Sequence, residues 1–370
     1  MKPTYLLFGI CLVYLFTSCK PDFDLNAPYK DVTVVYGVLN HQDSIHYVKI
    51  YKGFQSHKEG AVFIDAQKPD SIYYYDRISV VLQEFVIRDK PPGAATSNDT
   101  IRTARADIPL YITHDFPRDS GFFYYDKERI IYYTKEPLSK DYAYKILIKH
   151  KQTGKVTEGI TRMLGNGENT YIGFEIYSLS STFPMLGRGE ASIAFFPAKY
   201  AKDYEFHVNF IYFEVDKKTN QVVRIGKVVK NICPRVGTIW TNEKDRDYCV
   251  KKFARTFYDD IATQLKPDPK VVRYIGTPGS NGSCIEVEGW AAGESMTQYL
   301  LSNQPTSSFI QVGSVYTNLT ASEGLAFGFL SSRIKCPSRR FATNKESEDS
   351  LVSGSKTRNL GFRPWSEYKP

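Results

Sequence analysis

Cys19 is the residue whose surroundings point most directly to a chemical reaction. It follows two small residues, Thr17 and Ser18, and closes an apolar run, Tyr5–Phe16, that begins shortly after Lys2. The run is too short to cross a hydrocarbon core, which needs about 20 residues, so a transmembrane anchor is disfavoured. A positive start, a brief apolar core and small residues at its end are typical of a secretory signal. The Cys19 thiol could accept a lipid, and cleavage before Cys19 would then free an α-amine that could also be acylated.

The ending of this segment resembles a known bacterial motif. Leu15–Cys19 is similar to the lipobox of bacterial lipoproteins, which implies that residues 1–18 are removed and that Cys19 is acylated. Each buried methylene contributes about 0.8 kcal/mol, so two or three chains would hold the protein on a membrane. The alternative is an ordinary signal peptide with a chance cysteine. Residues 20–24 (KPDFD) resemble the export signal of surface lipoproteins in Bacteroidota, which implies the outer membrane and favours the cell surface over the periplasmic face.

Composition favours a β-rich protein that does not bind nucleic acid. Tyr and Phe are abundant, and with Val, Ile and Thr they favour half-buried pleated surfaces. The formal net charge of +8 is spread along the chain apart from its end. We interpret it as a solvated surface, with contact to anionic lipopolysaccharide as the alternative. An exported chain is not expected to meet nucleic acid.

The cysteines predict disulfide bonds. If Cys11 is removed and Cys19 is acylated, an even number remains for an oxidising compartment: Cys233, Cys249, Cys284 and Cys336. Of the possible pairings we favour Cys233–Cys249, which closes a short polar loop, together with Cys284–Cys336. A zinc site is disfavoured because the chain has no CxxC pair.

Apolar alternation divides the mature chain into two β-rich domains. A lipidated tether over residues 19–30 precedes strands that alternate from Val32 to Val38, and short strands at such spacing predict an immunoglobulin-like β-sandwich over residues 31–163. A second β-rich domain is predicted over residues 164–336.

Helices are predicted in the second domain near residues 250–265 and 295–301. In the first of them, large apolar side chains recur every four residues, and Ser295 is the expected N-cap of the other. Residues 337–370 are polar and basic, so we expect a mobile tail that buries little apolar surface.

One stretch resembles a lipoprotein family. Residues 295–333 are similar to the C-terminal signature of a Bacteroidota outer-membrane lipoprotein family of unknown function, with Val315–Leu319 and Gly324–Gly328 in the places of its "piysNi" and "G.GiFg" segments. Thr317 replaces the family's usual Ser. The resemblance implies a β-rich, surface-facing lipoprotein. Members are often encoded beside SusC-like TonB-dependent receptors, and the family supplies no catalytic residues.

Motifs for catalysis and cofactor binding are missing from the sequence. There is no Gly-x-Ser-x-Gly elbow and no Gly-rich phosphate loop. His41 and His46 flank a predicted hairpin loop, but two imidazoles alone are a weak metal site. We therefore predict a protein that is not an enzyme and that holds no cofactor or metal.

Other residue patterns suggest modification or binding. Four Asp-Ser/Thr-apolar triplets resemble the O-glycosylation sequon of exported Bacteroidota proteins; the acceptors would be Ser44, Ser71, Thr100 and Ser350. Two aromatic clusters, Tyr73–Tyr75 and Phe122–Tyr125, are most simply explained by packing, with a sugar platform or a partner-binding patch as the alternative.

These observations lead to two main hypotheses of function, with an enzyme that acts on glycans or peptides as the third alternative. The first is a non-enzymatic binding or accessory lipoprotein of the outer membrane, with a SusC-like receptor as its partner. The second is a structural or assembly component of an envelope complex that makes contacts through the basic tail.

Overall fold

A computed structural model describes most of the chain after the predicted signal and tether. The described residues are 31–53, 69–88, 100–116, 129–165, 175–177, 182–183, 191–232, 239–242, 246–251, 256–303 and 316–370. Strands dominate and the helices are short, so the predicted mainly β fold is confirmed. Cys19 and Cys233 lie outside the described residues.

Strands form over the predicted stretches of the first half, but the inward side of the first strand is the opposite of the one predicted from Val32, Val34, Tyr36 and Val38. Within Val32–Leu39, Val35 and Leu39 are fully buried whereas Tyr36 is partly exposed. The elements are β1 Val32–Leu39, β2 His46–Lys52, the one-turn helix α1 Pro69–Ile72, β3 Ile78–Arg88, β4 Thr100–Pro109, β5 Tyr111–Thr113, β6 Ile131–Thr134, β7 Tyr142–His150 and β8 Val156–Arg162.

The second half has longer strands and three helices of nine residues each. Its elements are β9 Glu175–Tyr177, β10 Thr182–Phe183, β11 Ala191–Phe196, β12 Ala201–Asp216, β13 Val222–Ile232, β14 Ile239–Asn242, β15 Arg246–Lys251, α2 Thr256–Gln264, β16 Val271–Ile275, β17 Ser283–Gly293, α3 Glu294–Ser302, β18 Leu319–Ala321, β19 Leu325–Thr343, α4 Lys345–Ser353 and β20 Phe362–Arg363. Both predicted helices are present. The predicted cap is wrong, because Gly293 is the N-cap of α3 and the Ser295 hydroxyl instead accepts a hydrogen bond from Asn318.

Two facing sheets form the predicted sandwich. One has the order β19-β1-β2-β6-β5 and the other β18-β8-β7-β3-β4. Inward side chains of both, such as Ile50 and Ile146, belong to one buried cluster. Leu319 and Leu330 belong to it as well. The sandwich therefore does not end at residue 163 as predicted, since residues 316–332 return to complete it.

The long strand β19 joins this sandwich to the second half of the chain. Its residues 325–332 pair in parallel with β1, and residues 333–342 pair antiparallel with β17. The result is an 11-stranded sheet of order β20-β16-β12-β17-β19-β1-β2-β6-β5, in which β13 also pairs with β12 and β10 with β19. Strand β1 lies along one edge of β19 and β17 lies along the other. Because the partner changes midway, backbone groups on each edge lose their strand neighbour near the change.

Two side-chain amides take the place of the missing neighbours. Asn318 accepts a hydrogen bond from the Leu330 N–H at 3.0 Å and donates one to the Leu330 carbonyl at 2.8 Å. Gln42 does the same for Lys335, at 3.0 and 2.9 Å. Leu330 is fully buried, and a buried backbone group without a partner costs about 1–3 kcal/mol, so Asn318 stabilises the change of partner. The bonds between Gln42 and Lys335 are exposed and contribute less.

The second core lies between β11, β12, β17 and the end of β19. Even-numbered residues of β12, such as Phe206 and Phe210, point into it together with Phe257 and Ile261 of α2. Leu351 of α4 and Phe362 of β20 are members of the same cluster. A second apolar cluster packs beside it, where Phe213 and Tyr274 meet the C-terminal Trp365 and Tyr368.

Residues 337–370 are therefore not the mobile tail that the sequence predicted. Their apolar residues are few, but Leu351, Leu360 and Phe362 are all buried. The buried guanidinium of Arg273 holds them in place: Nε donates to Glu214 at 2.9 Å and Nη1 donates to the Leu360 carbonyl at 2.7 Å. The prediction relied on the average polarity of residues 337–370, which does not reveal a few widely spaced apolar residues that are buried.

The predicted Cys284–Cys336 disulfide is also wrong. Both thiols are free and buried. On β17, Cys284 lies five residues before Gly289, and Gly289 is the residue that pairs with Cys336. Five residues of strand span roughly 16 Å, whereas a disulfide needs Cα atoms within about 7 Å. Of the other predicted pair, Cys249 lies in β15 and Cys233 is not described.

Candidate functional site

The aromatic cluster Tyr73–Tyr75 that the sequence singled out is part of the core. Tyr73 and Tyr74 are 2% and 5% exposed, and the Tyr74 hydroxyl lies 2.9 Å from the Thr33 hydroxyl. The packing interpretation is confirmed for these residues. The second cluster, Phe122–Tyr125, lies outside the described residues.

His41 in the β1–β2 turn and His46 at the start of β2 are the two histidines that the sequence singled out. Burial lowers the pKa of both His41 and His46, which holds the imidazoles neutral at neutral pH. His41 Nδ1 and His46 Nε2 have no hydrogen-bond partner among the described residues. No group of three or more His, Cys, Asp or Glu side chains that could hold a metal occurs in the described part of the chain.

The candidate glycosylation positions differ in how much space they offer. Ser44 is exposed in the turn after β1, whereas Ser71 in α1 and Ser350 in α4 are half-buried. Thr100 begins β4, and its side chain is not described. A glycan would fit best on Ser44. Modification at any of the four stays a prediction, which an intact mass of the natively produced protein equal to peptide plus lipid would contradict.

Tyrosines cover the outer side of the first sheet of the sandwich. Tyr47 on β2 pairs with Tyr133 on β6, which pairs with Tyr111 on β5. Their rings are 6.5 and 6.4 Å apart, and Phe116 lies edge-on to Tyr47 at 5.0 Å. Tyr47 and Tyr111 are 39% and 60% exposed. We call these four residues, with the group described next, the aromatic face.

The aromatic face continues across β1 to α3. Tyr36 lies 6.2 Å from Tyr51 and 5.8 Å from Tyr299 of α3, and the Lys49 ammonium is 5.0 Å from the centre of the Tyr51 ring. Leu300 beside Tyr299 is 46% exposed. The outer side of an antiparallel sheet is normally polar where it meets water, so this face departs from the usual alternation.

Sequence reasoning missed the aromatic face although its signal is visible. In residues 45–51 and 130–134 most inward positions are apolar, with His46 and Thr134 as exceptions. The outward positions, where polar residues are expected, carry Tyr47, Tyr51 and Tyr133. What the sequence could not supply is the strand register, which brings these rings into contact across three strands.

A polar surface lies on the side of the sheet to which the odd-numbered residues of β12 point. Glu288 accepts hydrogen bonds from Lys335 at 2.7 Å and from Asn209 at 3.0 Å, and Lys227 bridges it to Glu286 at 3.4 and 3.7 Å. Burial raises the pKa of Glu288, but these hydrogen bonds and the Lys227 charge outweigh it and lower the pKa to about 2. We call these five residues the ionic cluster.

One histidine, His207, lies beside the ionic cluster. His207 Nε2 lies 2.8 Å from Glu205, and the centre of its ring is 4.2 Å from that of Trp290, with the two ring planes tilted by 50°. No serine or cysteine hydrogen-bonds to His207 among the described residues.

A shallow cleft of about 590 Å³ opens beside the ionic cluster. Its apolar lining includes Ile211, Ile225 and Pro278, and its charged wall is Lys227, Glu286 and Arg340. Since Arg340 donates to Glu286 at 3.2 Å, the charges are mutually paired, which favours a structural role for that wall.

In the part of the chain that the structure describes, no helix has the length and apolar character needed to cross a bilayer.

Comparison with known proteins gives no family for the chain. No protein-family model and no curated protein matches it. Among solved structures it is similar to the C-terminal globular domain of an oligosaccharyltransferase from Pyrococcus abyssi, with 10% identity and a TM-score of 0.21. The match covers 83% of this chain and 46% of that one, so the chain spans less than half the length of that structure.

Proposed function

We propose that this protein is a lipid-anchored, non-enzymatic binding or accessory protein of the outer membrane, and that it presents its aromatic face to a partner protein. A SusC-like TonB-dependent receptor is the partner we propose on the strength of the family resemblance. The lipobox-like Leu15–Cys19 supports the anchor. The aromatic face supports the binding role.

The exposed tyrosines are the observation that carries this proposal. Tyr is enriched in protein interfaces because its ring supplies contact area and its hydroxyl keeps a hydrogen bond. The rings of Tyr47, Tyr111 and Tyr133 already contact each other, so little conformational freedom is lost when a partner packs on them. Such rigid aromatic patches are typical of binding hot spots.

The anchor is tested with labelled palmitate in the native host. The full chain is expected to incorporate the label and to fractionate with outer membranes, and Cys19→Ser is expected to lose both. Membrane association of Cys19→Ser would contradict the lipid anchor.

The binding role is tested by cross-linking and pull-down from solubilised outer membranes. We expect a β-barrel receptor to be recovered with the wild-type chain and lost with the double variant Tyr47→Ser/Tyr111→Ser. The matched control, Tyr47→Phe/Tyr111→Phe, keeps both rings and is expected to retain most of the partner. Recovery of no receptor with the wild-type chain, or equal recovery with both double variants, would contradict the proposal.

The second hypothesis, an assembly component that makes contacts through a basic tail, loses its main support. Residues 337–370 pack into the second core, so they are not an extended contact arm. Deleting them would test folding rather than assembly.

A further inference from the structure

Strand β13 leaves one edge open at the side of the large sheet. It pairs with β12 along one edge, and no other strand of the described chain pairs with it. The Ile211 carbonyl accepts a hydrogen bond from Gly276 N at 2.9 Å, on the side of β12 away from β13. In an antiparallel strand, the backbone groups of successive residues point to alternate edges. Phe210 and Tyr212, the neighbours of Ile211, therefore supply the hydrogen bonds to β13.

This alternation fixes which backbone groups of β13 face outward. Gly226 pairs with Tyr212 of β12, so the N–H and C=O of Gly226 point to β12. Those of Ile225, Lys227 and Val229 then point to the open edge. The contact of Gln264, whose Nε2 reaches the Val229 carbonyl at 3.5 Å, agrees with this direction.

The open edge is only partly protected, because exposed apolar side chains alternate with the cations Arg224 and Lys227. Val223 is 57% exposed, Ile225 60% and Val229 38%. Natural edge strands are normally short, bulged or charged on such positions, because an open apolar edge recruits other strands. An 11-residue strand with exposed Val and Ile is therefore suited to pair with a further strand.

The charges on β13 indicate whether a second copy of the chain or a segment of another protein pairs with the open edge. β13 carries Arg224, Lys227 and Lys230 and no acidic residue. Lys227 is paired with Glu286 and Glu288, whereas Arg224 is exposed and has no ion pair among the described residues. An antiparallel second copy centred on Lys227 would set Arg224 opposite Lys230, and like charges opposite each other destabilise strand pairing. A segment with acidic residues opposite Arg224 and apolar residues opposite Ile225 fits both sides of the strand.

We propose that the open edge of β13 binds an extended segment of another protein in which apolar and acidic residues alternate, by adding it as a strand to the sheet. This mode takes affinity from backbone hydrogen bonds and specificity from alternate side chains. The site is separate from the aromatic face, so the proposal stands or falls independently of the function proposed above.

The test uses the full mature chain and labelled peptides of about ten residues, followed by fluorescence anisotropy. One peptide alternates Val and Asp, and its counterpart alternates Val and Lys. We expect the Asp peptide to bind at least about tenfold more tightly, with a difference that shrinks in high salt.

A proline variant separates strand addition from simple charge attraction. Ile225→Pro removes an N–H from the open edge without breaking a bond to β12, so it is expected to weaken binding of the Asp peptide at least about tenfold. Ile225→Val keeps the N–H and should bind like wild type. Circular dichroism checks that both variants fold.

Three outcomes would overturn the proposal. They are equal binding of the two peptides, unchanged binding by a folded Ile225→Pro variant, and a dimer of the chain that Ile225→Pro abolishes. The last would make a second copy the occupant of the edge.

Discussion

Asn318 shows how one side chain can hold three segments of a chain together. Besides its bonds to Leu330, its amide lies 3.1 Å from the Ile160 carbonyl and 2.9 Å from the Ser295 hydroxyl. We expect Asn318→Ala to lower the free energy of unfolding by about 2–4 kcal/mol, because it leaves several of these groups unpaired. Urea denaturation measures this. The exposed Asn303, which is the C-cap of α3, is the control, and a loss for Asn303→Ala as large as for Asn318→Ala would contradict the argument.

Gly328 is fixed by a close approach between backbones. Its φ is +88° and an added Cβ would lie 2.0 Å from the Val35 carbonyl oxygen, so Gly328→Ala cannot be accommodated unless β1 and β19 move apart. We expect a loss of about 3 kcal/mol or more. Gly279 has a similar φ of +79° but nothing within 4 Å, so Gly279→Ala should cost only about 1 kcal/mol. Equal thermal shifts for the two variants would contradict the steric explanation.

The ionic cluster predicts a dependence of stability on pH. The folded pKa of Glu288, about 2, lies below that of an unfolded glutamate, so its ionised form stabilises the fold above the unfolded value of about 4.3. This stabilisation is lost as the pH falls toward 2. Denaturation of wild type and Glu288→Gln at neutral pH and at about pH 3 should show a smaller acid loss in the variant. Parallel losses would exclude Glu288 as a contributor.

At the scale of elements, alternation of apolar residues was a good guide and average polarity was not. The hairpin of β7 and β8 was predictable, because apolar residues alternate on both sides of a turn at Gly154, where φ is +72°. The C-terminal segment was not predictable, since its order comes from Arg273 and from single apolar residues that reach a distant core. The pairing of β1 with β19 is likewise invisible in a sequence, because its partners are about 290 residues apart.

Helix α4 and β20 should therefore contribute strongly to stability. Leu351 is fully buried in the second core, and Leu351→Ala is expected to cost about 2–5 kcal/mol because a cavity replaces the side chain. Lys345 on the same helix is exposed, and Lys345→Ala should change stability by less than about 0.5 kcal/mol. If chemical denaturation finds the Leu351 variant as stable as wild type, residues 345–353 are not part of the core.

At the scale of the molecule, β19 makes the two cores depend on each other. Its first half completes the sandwich and its second half pairs with β17, so a fragment of residues 31–165 lacks the strand beside β1 and the side chains of Leu319 and Leu330. We expect that fragment not to unfold cooperatively, because its sheet edge and core are left open.

The matched control keeps every strand and changes only the connection. A protease site placed between β8 and β9, within residues 166–174, allows the folded chain to be cut there. The two pieces should remain together in gel filtration and keep one cooperative unfolding transition, because residues 316–343 hold both cores whether or not the chain is continuous. A fragment of residues 31–165 that unfolds cooperatively with the midpoint of the full chain would show instead that the sandwich is complete before residue 165 and that β19 adds nothing to it.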